Sequence, residues 1–272
     1  MLLCDLHTHT NLCDGKASPR EMAEAALKAG LNTLGFSGHS FVAFDPTCGM
    51  DAAAAETYRK EITALKAEFA PQLTVFMGIE KDVYGSFDTA PYDYAIVSGH
   101  YVPLPGGGFS AVDLSPEETQ HAIDTCFSGD PYRYASAYYK GLVKHMMREE
   151  KADIIGHFDL VTKFNEGGAL FSEDDPRYRS AALMALEAAF IRCGRFEINT
   201  GAISRGWRSV PYPAPFLLRR IKELGGSIVL SSDSHSTATL LYGFADAAEY
   251  AKSCGFETAD VLTKDGFVPV KL

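Results

Sequence analysis

Seven short apolar runs punctuate the chain, and each is followed by polar residues, most of a kind that binds metals or moves protons. No other feature constrains the fold as strongly. The runs are Leu2–Leu6, Thr33–Ser37, Leu73–Ile79, Tyr94–Val97, Asp153–Ile155, Arg195–Ile198 and Ser227–Leu230. They have the length of buried strands and are too short for helices. Helical patterns separate most of them. Ser18-Pro19-Arg20-Glu21 and Ser115-Pro116-Glu117-Glu118 both read as helix starts, with serine capping, proline in the first turn and glutamate closing a capping box. Ala-rich stretches around 51–69, 179–193 and 237–253 suit helices, with Gly30, Gly194, Gly225 and Gly255 at C-terminal ends. Strands that alternate with helices pair in parallel, with the helices outside. An open doubly wound sheet and a closed barrel both satisfy the pattern. The longest break, 99–115 (GHYVPLPGGGFSAVDLS), reads as a loop placed to act as a lid.

The polar residues after the runs are the informative ones. His7, His9 and Asp14 follow the first, His39 the second, Glu80 the third, His100 the fourth and His157 the fifth. Asn199 and Thr200 follow the sixth, and Asp233 and His235 the seventh. Six of the eight histidines thus stand at the C-terminal ends of predicted strands. A parallel barrel gathers those ends on one face. On extended chain the two imidazoles of an HxH pair point the same way, and so do Asp233 and His235. Imidazole and carboxylate donors suit zinc, iron or manganese. A single histidine at a strand end is commonly a hydrogen-bonded structural residue; six at equivalent places point to metal. His121 and His145 fall in helical patterns and read as structural. Cys4 reads as core, and Cys13 is a minor alternative ligand beside the HxH.

Composition narrows the classes. The chain has 272 residues, of which 46% are hydrophobic, and no run approaches the roughly 20 apolar residues of a membrane helix. No secretory signal pattern opens it, and its six cysteines lack CxxC spacing, which fits a cytoplasmic protein with reduced thiols. The formal net charge of -10 argues against general nucleic-acid binding. A small phosphate ester held by bound cations stays compatible with it. No linker or repeat divides the chain, so residues 1–272 are expected to form one domain.

The segments DLHTHT, GFSGHS, GIEKD, SGHY, GHFD and SSDSH, in that order across almost the whole chain, resemble the motifs of the polymerase-and-histidinol-phosphatase (PHP) superfamily. The loop GHYVPLPGGGFSAVDLSPEE and the segments GHFDLVTKF and EINTGAISRG resemble its monofunctional histidinol-phosphate phosphatases. The resemblance implies a distorted (β/α)7 TIM-like barrel with two or three divalent metals at the C-terminal ends of the strands. It implies one metal on His7, His9, Glu80 and Asp233, a second on Asp14, His39 and His235, and a third on Glu80, His100 and His157. The implied reaction is hydrolysis of L-histidinol phosphate, in histidine biosynthesis, by attack of a metal-bridging hydroxide. Asp233 or His235 would manage the proton. Lys163, Arg205 and Arg208 are candidates for the phosphate oxygens. Thr162 departs from relatives that carry a basic residue there. A substrate with an ammonium and an imidazole calls for a carboxylate and an aromatic face, for which Asp159, Phe41, Phe44 and Tyr101 are candidates.

Three alternatives compete. One keeps the metal site and changes the ester, as in a PHP nuclease or broad phosphoesterase. An amidohydrolase also opens with HxH, but the further histidines and Glu80 in place of a bridging lysine speak against it. A noncatalytic metal-binding domain is the third. The expected partner is a small phosphate ester, with neither nucleic acid nor membrane; the sequence is silent on oligomeric state.

Overall fold

The computed structural model describes residues 3–86, 88–148 and 151–272. Leu2, the predicted start of the first strand, lies outside the described residues. In chain order the elements begin β1 (Cys4–Asp5), α1 (Pro19–Lys28), β2 (Thr33–Phe36), α2 (Ala52–Phe69), β3 (Thr74–Asp82) and β4 (Tyr94–Ser98). A small hairpin follows, β5 (Tyr101–Pro103) and β6 (Phe109–Ala111), then α3 (Pro116–Cys126), α4 (Pro131–Met146) and β7 (Ile154–Ile155). The rest is α5 (Pro176–Arg192), β8 (Arg195–Asn199), α6 (Gly201–Ser204), α7 (Pro215–Glu223), β9 (Ser227–Ser231), α8 (Phe244–Ser253), β10 (Thr258–Thr263) and β11 (Gly266–Lys271).

Seven strands form one sheet in the order β1-β2-β3-β4-β7-β8-β9, with every neighbouring pair parallel. The sheet curls until its ends meet. Thr8 pairs in parallel with Ser234; the His9 amide donates to Ser234 O at 2.8 Å and the Ser234 amide to His7 O at 3.1 Å. The result is a nearly closed seven-stranded α/β barrel. It is distorted where β1 and β7 shorten to two residues each. Residues 83–93 add to this by joining β3 to β4 with no helix among the described residues.

Local chemistry explains the elements. Ser18 caps α1 with the full capping box, its hydroxyl accepting from the Glu21 amide while Glu21 reaches back. At α3 the Glu118 amide donates to Ser115 Oγ at 3.1 Å, the forward half of the box. Two expectations are corrected. The stretch 237–253 is helical only from Phe244; residues 237–239 form a 3₁₀ turn, and Gly243 takes a φ of +69° that starts α8. The break at 99–115 is not all loop, because the β5–β6 hairpin pairs within it.

The barrel interior is filled rather than hollow. The ring of Tyr94 lies across β2 and β3, and its hydroxyl donates to the carbonyls of Leu6 and Phe36. Gly35 and Gly78 make room for it: a Cβ would come within 2.3 Å of the Tyr94 hydroxyl at Gly35 and 2.2 Å of the ring at Gly78. The β10–β11 hairpin plugs the N-terminal mouth. Its Val261 and Leu262 join Cys4, Leu6, Tyr94, Ile96, Ile154 and Val229 in one cluster, and Asp260 holds Arg195 at 2.8 Å. Helices α1 and α2 pack over β2 and β3, and α3–α5, α7 and α8 over β4 and β7–β9. With the hairpin packed against this end, the strand-end polar residues gather at the opposite, C-terminal face. No helix is long and apolar enough to cross a membrane among the described residues.

Candidate metal centre

The C-terminal ends of six strands deliver their polar side chains to one place. His7 and His9 continue β1, His39 follows β2, Glu80 lies on β3, His100 follows β4, His157 follows β7, and Asp233 and His235 follow β9. Asp14 enters from the turn after the HxH. Four groupings of donor atoms result: His9-Asp14-His39-His235, His7-His9-Asp233, His7-Glu80-His157 and His39-Glu80-His100.

Glu80 is the hub. Its Oε2 lies 3.0 Å from His7 Nε2, 3.5 Å from His9 Nε2 and 2.9 Å from His39 Nδ1. Its Oε1 lies 2.9 Å from His157 Nε2 and 3.3 Å from His100 Nε2. Asp233 Oδ1 closes the first group at 3.6 Å from His7 Nε2 and 3.3 Å from His9 Nε2. Asp14 lies between His39 Nε2 (3.5 Å) and His235 Nε2 (3.0 Å). His7 Nε2, His9 Nε2 and Glu80 Oε2 are buried, and none makes a hydrogen bond of acceptable geometry. Buried polar atoms are normally satisfied. Three orphaned donor atoms converging on one point fit a cation, and the oxygen–nitrogen donor set suits a divalent transition metal.

Charge in the cluster follows from burial and neighbours. Burial pushes the Glu80 carboxyl up, but His7, His39 and His100 around it hold it well below the usual carboxylate range. Asp233 behaves alike, with Arg205 and His7 outweighing burial. His9 is drawn down to about 3 by burial and by His235 and His39, so it is neutral at pH 7. Burial also lowers His7 and His39, yet facing carboxylates carry both well above their ordinary value. Protons therefore compete with a cation for those nitrogens, and metal binding would release them.

A second layer of buried carboxylates orients the imidazoles. Glu197 lies 2.8 Å from His7 Nδ1 through Oε2, while its Oε1 accepts from the His157 amide at 2.6 Å and Asn199 Nδ2 at 2.9 Å. Asp82 Oδ2 lies 3.0 Å from both the amide and Nδ1 of His100. Asp5 accepts from the Ser232 amide and hydroxyl, tying β1 to β9 beneath the site. Sequence reasoning passed over Glu197, Asp82 and Asp5. Glu197 and Asp5 are charged residues inside apolar runs, whereas Asp82 lies past its run in the charged segment Glu80-Lys81-Asp82.

The centre opens into a cleft of about 470 Å³ whose walls include Lys16, Asp113, Lys163, Ser204 and Arg205. Arg205 Nη2 holds Asp233 Oδ2 at 2.8 Å, and Lys163 Nζ donates to Asp113 O at 3.1 Å. Arg208 is not brought to this cleft. Its guanidinium donates to Thr162 O and Glu173 Oε1, both at 2.9 Å, and it faces Glu166, so neighbouring acids anchor it away from the lining. Asp159 is likewise turned inward. It accepts from the Ala214 amide at 2.9 Å, and burial pushes its carboxyl up to about 7. Phe44 stacks on Phe109 at 3.9 Å, and the Tyr101 hydroxyl donates to Asp45, so these aromatics join the hairpin to the loop after β2. Cys13 donates to Thr10 O and belongs to none of the donor groupings. His121 and His145 stay on α3 and α4.

The family model described as PHP domain matches residues 5–201. The Deinococcus radiodurans protein named "Probable histidinol-phosphatase" is 35% identical over 94% of this chain and 95% of its own length. The chain belongs to the PHP domain family. The histidinol-phosphatase of Bacillus subtilis is 26% identical, over 88% of this chain and 96% of the relative. Among solved structures, the histidinol phosphate phosphatase of Lactococcus lactis, complexed with zinc, L-histidinol and phosphate, shares 20% identity. It aligns over 98% of this chain and 98% of that chain with a TM-score of 0.68. The PHP domain match ends at Gly201, on α6, so Asp233 and His235 lie beyond it. Barrel closure at Ser234 is what returns them to His7 and His9 after β1.

Proposed function

We propose that this chain is a metal-dependent phosphomonoesterase that hydrolyses L-histidinol phosphate to L-histidinol and phosphate, as in histidine biosynthesis. One observation carries the reading: a buried glutamate shared by adjacent donor groupings lies beneath a cleft whose wall carries Lys163 and Arg205. The relatives named as histidinol-phosphatases support the choice of ester, as does the ligand of the Lactococcus lactis complex. The scattered, unpaired cysteines support a reducing, cytoplasmic setting.

The proposed ligand sets are His7, His9, Glu80 and Asp233 for one metal, Asp14, His39 and His235 for another, and Glu80, His100 and His157 for a third. Zinc, iron and manganese all suit these donors. Divalent cations held there would neutralise phosphoryl charge and lower the pKa of water to near 7. The chain's own residues do the rest. Glu80 keeps the groupings at a set separation because its two oxygens face different histidines. Arg205 and Lys163 take the outer phosphoryl oxygens and orient the ester. Asp233 and His235 are the proposed proton-handling groups. His235 is the one with access to solvent, since its side chain is 24% exposed against 8% for Asp233.

Protein stripped of metal and reloaded with zinc, manganese or iron is expected to release phosphate from L-histidinol phosphate with a higher kcat/KM than from a dinucleotide. A higher value for the dinucleotide would overturn the reading in favour of a nuclease. Glu80→Ala should lose bound metal and turnover together, with kcat down by about 10³-fold or more. Elemental analysis and phosphate release on the same sample check it, and retained turnover would refute the shared role of Glu80.

A further inference from the structure

Three carboxylates line the cleft: Asp14, Asp113 and Asp233. Asp14 and Asp233 face the histidine groupings. Asp113 stands apart, just past β6, and belongs to none of those groupings. Its main-chain carbonyl, not its carboxylate, receives the Lys163 hydrogen bond at 3.1 Å. Its Oδ2 lies 3.8 Å from the same Nζ, beyond hydrogen-bond length, and its side chain is 34% exposed. The carboxylate thus keeps lone pairs for a ligand while held within a few ångströms of a proposed phosphate-binding cation. Asp159, the carboxylate expected from the sequence for this task, is buried against the Ala214 amide and does not line the cleft.

We propose that Asp113 receives the ammonium group of the substrate and makes the enzyme specific for phosphate esters of amino alcohols. The inference rests on the phosphatase reading above and deepens it. An ester with its ammonium on the carbon next to the ester methylene places a dianion and a cation close together. Lys163 and Asp113 present the complementary pair in the same order. A charge-assisted hydrogen bond in a partly desolvated cleft favours the amine-bearing ester by about ten- to a hundredfold. The carboxylate also repels a second anionic group on the substrate, which disfavours esters that carry a further phosphate or carboxylate.

The test uses the metal-loaded full chain and two esters, L-histidinol phosphate and 3-(imidazol-4-yl)propyl phosphate, which differ only by the amine. The native enzyme is expected to prefer the first by about ten- to a hundredfold in kcat/KM. Equal rates would overturn the role of Asp113 while leaving the phosphatase reading intact; no turnover of L-histidinol phosphate would overturn both. Asp113→Asn and Asp113→Ser should abolish the preference through a raised KM for the amine-bearing ester, with the deamino ester turned over as by native enzyme. A parallel fall for both esters would assign Asp113 to support of Lys163 and refute recognition of the amine. An unchanged preference would refute it too. If a variant fails to fold, equal rates for the two esters on the native enzyme still overturn the proposal.

Discussion

Glu197 stands behind two candidate ligands at once, and its chemistry determines how His7 can act. Because its Oε2 accepts from His7 Nδ1–H, the proton that a cation would displace from His7 is the one on Nε2, which points at Glu80 and Asp233. Its other oxygen is already taken by the His157 amide and Asn199. In Glu197→Gln the amide nitrogen would face His7 Nδ1 and donate to it, which drives the ring proton to Nε2 and blocks the metal-facing atom. We expect metal affinity to fall by about 10–100-fold, measured by competition with a chromophoric chelator. Unchanged affinity would remove Glu197 from the site's function. The ligand-type residues were legible in the sequence because histidines repeated at strand ends are rare otherwise. Glu197 was not, since an isolated acid in an apolar strand looks the same whether it orients a ligand or pairs with a distant arginine.

At the scale of elements, β2, β3 and β4 are bound together by one ring. Tyr94 points into the barrel and needs the missing side chains of Gly35 and Gly78. Gly78→Ala would put a methyl group within 2.2 Å of the Tyr94 ring. Since Glu80 is two residues further along β3, any retreat of that strand would also move the hub of the ligand cluster. Overpacking of this kind costs about 1–3 kcal/mol. The expected outcome is a lower urea midpoint together with weaker metal retention. A variant of native midpoint would show that Tyr94 relocates freely. The seven barrel strands were legible as apolar runs of the right length. The β5–β6 hairpin was hidden by its glycines and prolines, which read as loop whether or not the flanks pair. The β10–β11 hairpin is built from short segments whose pairing depends on the barrel mouth beneath it.

For the whole molecule, closure of the barrel also assembles the candidate metal centre. Asp5 ties β1 to β9 through Ser232, and the amides of His9 and Ser234 continue the seam. Bound cations would crosslink ligands from six strands, so they stabilise the folded state only. With metal at about 100-fold its Kd this is worth ~2.7 kcal/mol, and a few degrees of Tm per kcal/mol for a chain of this size. Chelation is therefore expected to lower Tm by roughly 5–10 °C, reversed by adding metal back, as followed by differential scanning fluorimetry. An unmoved Tm would mean that the donor atoms are satisfied without a cation.

The kind and order of the chemical groups were determined by the sequence alone. Apolar runs of strand length specify β/α alternation, and the residues that end them specify a metal-binding donor set, because both signals are local and recur. Which residues meet was decided by the tertiary structure. Arg205 and Arg208 are three residues apart, yet one holds Asp233 over the centre and the other is anchored by Glu173 and Thr162 outside the cleft. Asp159, expected beside the substrate, is turned to the Ala214 amide, while Asp113, which carried no expectation, lines the cleft. Direction in space depends on which neighbour satisfies a side chain first, and those neighbours come from distant parts of the chain.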